Sequence, residues 1–267
     1  MTEFREQDLT GARFERTSLR EASFEKVHLN NATMREVDFG GARIHAALFD
    51  DVRIRGAYLN DVEITGELSG VTVNGVDIGP LIETELDRLD PERPKMRPDT
   101  ADGFREGWTV LKRLWEGTLA RAGTFPEEAL HRSVDGEWSF IQTVRHLNFA
   151  EAAWVHRMLL GVESPWHPLD LPWDEASGWP GVVPWDRDAK PSLDEVLVVR
   201  RDRVATVDGV MESLTDALLA TEVAQTTPGY PREEGLPYRQ CLRIVLNEGW
   251  EHRLYAERDL TALAKEA

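Results

Sequence analysis

From Phe4 to Ile64 a large apolar residue stands at every fifth position, beginning Phe4, Leu9, Phe14, Leu19, Phe24 and Leu29, thirteen in all. Two residues before each, from position 12 onward, stands a small or β-branched residue: Ala12, Thr17, Ala22, Val27 and so on to Val62. Neither a 3.6-residue helix nor a two-residue strand produces an unbroken period of five. A period sustained this long predicts a solenoid, in which each turn buries its inward residues against its neighbours. The period then stops. In "VTVNGVDIGP" (71–80), Asn74-Gly75 between alternating apolar flanks predicts a hairpin, because both residues tolerate the positive φ of a tight primed turn. Pro80 suits the first turn of a short helix, "PLIETELDRL". "DPERPKMRP" holds three prolines in nine residues and reads as a stiff linker, so the domain boundary is expected between residues 69 and 98.

From residue 99 the pattern becomes helical, in four stretches. The first, about 100 to 122, aligns Phe104, Trp108, Leu111, Trp115 and Leu119 on one face. The second opens at Ser139 with the capping box "SFIQ" and runs to Gly161; the third opens with "SLDE" at Ser192 and runs to about 220. The fourth spans about 238 to 264. Some thirty residues, 162–191, separate the second and third stretches. A connection that long can run the length of a bundle, which makes those two helices parallel rather than a hairpin. It carries four tryptophans (Trp166, Trp173, Trp179, Trp185) and six prolines, and is expected to fold down as a lid over one bundle end. Its later part, around Trp179 and Trp185, is expected nearest the bundle's chemistry, so both are taken as ligand-binding candidates.

Composition narrows the class. The 267 residues are 41 % hydrophobic and 30 % charged, an ordinary globular balance, with no run of 18 apolar residues and a polar, acidic start. A single cysteine, Cys241, precludes an internal disulfide and fits a reducing, cytoplasmic setting. The formal net charge of −17 argues against nucleic acid as a partner, and nothing suggests a membrane. Residues 1 to 70 hold 13 Asp and Glu against 9 Lys and Arg, so most of the acidity lies elsewhere. The repeats therefore read first as a packing or homodimerisation module and second as a surface for a protein partner.

The candidate chemistry lies in the second and fourth helices. Glu248 and His252 are four residues apart, a little over one turn, and rise from one helix face about 6 Å apart. Such a pair can be a surface contact or part of a metal site. His146, on the second helix in "TVRHLNFAEAAW", shares its face with Gln142, Phe149, Ala150 and Ala153, which leave room inside a bundle. Two imidazoles and one carboxylate from two helices, with positions left open, suit catalytic zinc and also the facial triads used by iron. Tyr255, seven residues after Glu248, can face a substrate or pack. His131, His156 and His167 are weaker candidates, and Cys241 sits about 10 Å along the helix from Glu248, too far to share a cation with it.

Two resemblances follow from these stretches. The period of five, over about residues 2 to 69, resembles the pentapeptide-repeat family, which implies a right-handed quadrilateral β-helix of about three coils with both repeat positions pointing inward. "GEWSFIQTVRHLNFAEAAWVHRMLLG" and "VLNEGWEHRLYAERDL" resemble the DinB-like family of metal-binding four-helix bundles, over residues 99 to 264, and "VNGVDIGPLIETELDR" is similar to a leader seen on some members. The expected organisation is thus a β + α chain: repeat β-helix 1–70, hairpin, short helix and linker 71–98, and four-helix bundle 99–267. The second resemblance implies a histidine on the second helix and a His-x-x-x-His pair on the fourth, which fall here on His146, Glu248 and His252, with glutamate replacing the first histidine of the pair. It implies a divalent cation (zinc or nickel foremost, iron or manganese next) and a transferase acting on a small-molecule substrate, with a mycothiol-like thiol as cosubstrate. The competing readings are a metal-dependent hydrolase and a non-catalytic adaptor whose metal is structural.

Overall fold

The computed structural model describes residues 3–45, 47–173, 176, 183–184, 186–223, 230–231 and 235–266. The chain divides into two compact units, 1–65 and 66–267. Among the described residues, no helix is long and apolar enough to cross a membrane.

In the first unit the five-residue period is written into the backbone. Among the described residues a left-handed φ recurs at five-residue spacing, at Glu6, Gly11, Arg16, Glu21, Lys26, Asn31, Glu36 and Gly41 and again at Asp51, Gly56 and Asp61. A tight turn closes every ten residues, with Ala12 N–H donating to Leu9 O at 2.9 Å and the same bond at Ala22–Leu19, Ala32–Leu29 and Ala42–Phe39. Among the described residues of this unit no strand forms, and the backbone bonds are these local turns. The large side chains expected to point into a core are instead exposed, from Leu9 at 44 % to Ile64 at 75 %. That corrects the expected burial, and the cause is separation of scales. A left-handed residue at five-residue spacing is set by neighbours in sequence, whereas burial requires one coil to stack on the next.

The second unit opens with the expected hairpin. β1 (Thr72–Val73) and β2 (Val76–Asp77) pair antiparallel through Asn74 and Gly75, both at positive φ. α1 (Gly79–Leu89) follows, with Pro80 in its first turn. The proline-rich stretch read above as a linker is seated on the bundle. It makes a 3-10 turn, Arg93–Met96, whose Met96 is in the core. A Cβ on Gly107 would lie 2.4 Å from the Lys95 carbonyl oxygen, so only glycine permits that approach. Arg93 and Arg97 fasten the turn to Glu83 and Asp87 of α1, and Arg113 reaches Glu92.

α2 (Ala101–Ala122) is capped by the Thr100 hydroxyl and buries Phe104, Trp108, Leu111 and Trp115. After the single turn α3 (Glu127–Leu130), α4 (Phe140–Glu151) carries the full Ser139/Gln142 capping box and continues as a π-helical segment, Ala152–Leu159. α5 (Leu193–Ser213) carries the Ser192/Glu195 box. It ends earlier than its apolar pattern suggests: Leu214 turns extended and Thr215 caps a separate turn, α6 (Asp216–Leu219). β3 (Glu222–Val223) and β4 (Leu236–Pro237) pair just before α7 (Tyr238–Glu266).

Side-chain contacts fix the helix directions. Asn148 meets Val196, Glu151 meets Arg200, and His156 meets Arg203, so α4 and α5 run parallel, as the long crossover predicts. Leu111 against Gly249, then Thr118 with Glu257 and Arg121 with Thr261, make α2 and α7 parallel too. Trp108 donates to Asp208 and Arg105 to the Leu214 carbonyl, which sets α2 antiparallel to α5. A four-helix bundle with one long crossover results.

Candidate metal centre

His146 stands two turns into α4, and Glu248 and His252 lie one turn apart on α7. The structure brings all three together: one ligand atom from each lies within 4.8 Å of the others. Glu248 Oε2 is 3.4 Å from His146 Nε2 and 3.3 Å from His252 Nδ1. The rings of His146 and His252 stack at 4.9 Å. α7 can approach the bundle this closely because residue 249 has no side chain; a Cβ there would meet Leu111 Cδ2 at 2.6 Å. The freed Gly249 carbonyl accepts from Trp115 Nε1 at 2.8 Å, which holds the turn carrying Glu248.

Both imidazoles have a settled proton. His146 Nδ1 lies 2.9 Å from the Leu171 carbonyl, and His252 Nδ1 lies 2.9 Å from the Glu248 carbonyl. A carbonyl only accepts, so Nδ1 of each ring carries hydrogen, and Nε2 is the nitrogen left to bind a cation. His146 turns its Nε2 toward the Glu248 carboxylate, and His252 turns its Nδ1 toward the same oxygen. Glu248 Oε2 is itself buried. A buried carboxylate oxygen facing ring nitrogens calls for positive charge between them, supplied by a proton or by a metal cation. The donor set therefore fits a divalent cation of the borderline class that accepts imidazole and carboxylate together.

Electrostatics agree. Burial pulls the His252 imidazole down to about 4, helped by the charge of His146 and opposed by Glu248. Burial works to raise Glu248, but the hydrogen bond and charge of His146 and the charge of His252 hold it below the usual carboxylate range. A neutral imidazole beside an ionised carboxylate is the protonation state a cation requires.

The other expected residues distribute as follows. Tyr255 reaches the centre edge-on, 5.9 Å from the His252 ring, half-exposed and with Arg258 5.4 Å over its face. Trp179 and Trp185 lie outside the described residues. Of the other ring-bearing crossover positions, Trp166 stacks on Phe149 at 5.3 Å and Trp173 lies 6.1 Å from it, one ring removed from His146. His156 and His167 are held by Arg203 and by the Leu169 N–H, away from the centre. Cys241 is a core residue. Arg258 joins Asp259 to Glu137.

Two participants are absent from the sequence reading. Trp138 lies over both imidazoles, 4.5 Å from His146 and 6.1 Å from His252, and forms an aromatic wall of the centre. Its signal was its place, directly before the Ser139 cap of the histidine-bearing helix. Leu171 contributes only a carbonyl, and no sequence signal marks a carbonyl.

Comparison with known families places both ends of the chain. The DinB superfamily pattern matches residues 110–256, and the pentapeptide-repeat pattern matches in eight copies over residues 2–35. No curated protein and no solved structure matches it. The first match spans more than half of the chain and includes all three converging side chains, so this chain belongs to the DinB superfamily, with pentapeptide repeats at its N-terminal end.

Proposed function

We propose that the chain is a metal-dependent enzyme that transfers a low-molecular-weight thiol, of the mycothiol type, to an electrophilic small molecule. The observation that carries this reading is the convergence of His146, Glu248 and His252, with the buried Glu248 Oε2 3.4 Å from His146 Nε2 and 3.3 Å from His252 Nδ1. His146, Glu248 and His252 would hold the cation, zinc or nickel in preference to iron or manganese. A bound divalent cation supplies a Lewis acid that lowers the pKa of a thiol. The chain's own residues then account for positioning. Trp138 gives a flat apolar wall, and Tyr255 offers a hydroxyl at the exposed side, its proton retained because burial and then the nearby Glu251 raise its pKa. In the reaction the thiol proton passes to solvent, a carbon–sulfur bond forms, and the leaving group departs with its electron pair. The setting is cytoplasmic, where such thiols are kept reduced.

The exposed apolar residues of the repeats favour an additional role, recognition of a protein partner or a second copy that covers them. Elemental analysis of protein purified without added metal, followed by thiol-transfer assays on that preparation, tests the main reading. About one divalent cation per chain is expected, lost in His252→Ala with helical content intact. Full occupancy in a variant with all three ligands changed to alanine would overturn it. Metal present with turnover of esters or amides but no thiol transfer would favour a hydrolase.

A further inference from the structure

Arg145 precedes the ligand His146 in sequence, yet its side chain points away from the centre. It is completely buried, and burial lowers its pKa, with Asp186 and Asp170 opposing. Burying a guanidinium costs several kcal/mol unless its N–H groups are used. Here they are used on backbone. Nε donates to the Leu169 carbonyl at 2.8 Å, Nη1 to that of Ala189 at 3.2 Å, and Nη2 to that of Asp186. One side chain therefore grips both limbs of the crossover, the outgoing limb at 169 and the returning limb at 186–189.

The outgoing limb is what touches the metal centre. Leu171 N–H donates to the Arg145 carbonyl at 3.3 Å, and the Leu171 carbonyl accepts from His146 Nδ1 at 2.9 Å. Next to it, Asp170 is wholly buried, accepts from the His167 N–H at 2.8 Å and lies 3.3 Å from Arg203 Nη2. Arg203 also donates to the Pro165 carbonyl at 2.7 Å. The outgoing limb is thus fixed from α4 by Arg145 and from α5 by Arg203. The carbonyl so placed decides which nitrogen of His146 is protonated and where the ring points.

We infer that Arg145 is a positioning residue of the metal centre, acting on His146 through the Leu169–Leu171 backbone. The inference rests on the metal-centre reading above. Groups that orient a ligating imidazole through its far nitrogen typically affect metal affinity about 10- to 100-fold. The donors of Arg145 are spent on the carbonyls of Leu169, Asp186 and Ala189, so its contribution comes from where it holds the loop.

The test compares two buried arginines in the full chain. Arg145→Met removes the loop donors. Arg200→Met removes a guanidinium whose ion-pair partner is Glu151 on α4, 2.5 Å away, rather than the crossover. Zinc affinity, measured against a competing chelator, is expected to fall about tenfold or more in Arg145→Met and to stay within about twofold in Arg200→Met. Nitrogen-15 spectra of the metal-free protein are expected to show His146 protonated at Nδ1 in the unaltered chain and a mixture of tautomers in Arg145→Met. Equal losses of affinity in the two variants, or an unchanged tautomer in Arg145→Met, would overturn the assignment. Should Arg145→Met fail to fold, Arg145→Lys decides, since a lysine can serve one limb but not both: a several-fold loss supports the role and unchanged affinity overturns it. If the unaltered chain binds no zinc, the metal reading fails, while the tautomer comparison still judges Arg145.

Discussion

Phe24 and Phe104 are the same side chain in two settings. Phe24 belongs to the five-residue period and keeps 63 % of its surface exposed; Phe104 belongs to α2 and keeps none. Both sit in backbone of great regularity, one with a left-handed residue every fifth position, the other in a capped helix of 22 residues. Regular backbone is therefore not what buries a ring. Phe104 is covered because α2 has partners: α7 beside it, α5 across from it, and the 3-10 turn at 93–96 on its flank. Residues 3–65 have the period without the covering layer.

The contrast can be broken at the level of whole segments, where the largest effect is expected. A chain of residues 66–267 should fold and bind zinc as the full chain does, since that unit holds the bundle core and all three candidate ligands. Starting at 99 instead should lower the melting temperature sharply and promote aggregation, because it strips Met96 from the core and the Lys95 backbone from Gly107. Equal stability of the two fragments would make 71–98 the linker that its prolines suggest.

Single rings sharpen the contrast next. Phe104→Ala should cost about 3–5 kcal/mol in denaturant unfolding, the range for an emptied aromatic site. Phe24→Ala should cost less than about 0.5 kcal/mol. A large loss at Phe24 would show that the repeats bury their ladder, through stacked coils or a second copy.

A third expectation follows from Asp170, a polar group enclosed as no side chain of the repeats is. Burial raises its carboxyl from 3.8 to about 6, against the His167 N–H and Arg203. The folded state then binds a proton more tightly than the unfolded one. Its contribution is fully present below pH 3.8 and is lost as pH rises through about 6, some 3 kcal/mol in all. Stability measured between pH 4 and 7 should fall less with rising pH in Asp170→Asn than in the unaltered chain. Parallel curves would mean that Asp170 titrates normally.

The smallest effect concerns Gly249. An added methyl would meet Leu111 at 2.6 Å, so Gly249→Ala should cost about 1–3 kcal/mol by overpacking and weaken zinc binding by tilting Glu248. Unchanged zinc affinity would mean the helix absorbs the methyl without moving its ligand.

What could be read ahead of the fold was whatever a few neighbouring residues decide. The Ser139 and Ser192 boxes, the Asn74-Gly75 hairpin and the shared face of Glu248 and His252 each depend on spacings of four residues or fewer, and each appears where the spacing puts it. His146 could be paired with them because its face carries alanines. The parallel course of α4 and α5 followed from loop length. The rest depends on contacts between distant segments: Trp138 over two rings, Leu171 on His146, and Met96 under the prolines. The end of α5 at Ser213 was hidden because the apolar pattern continues through a break that Thr215 caps.

The π-helical segment after α4 has a consequence for lineage. Its backbone bonds reach one residue further than those of an α-helix, as Leu160 N–H does to Val155 O. That is equivalent to a surplus amino acid absorbed into a helix whose two ends stay in place. A relative with an unwidened helix would align with this one only through a single gap near residue 152. Without the gap His146 still falls in its proper column, but Trp154, His156 and Arg157 each fall one column out, about 100° around the helix. Ancestry inferred from those trailing positions would be wrong even where the histidine column is right.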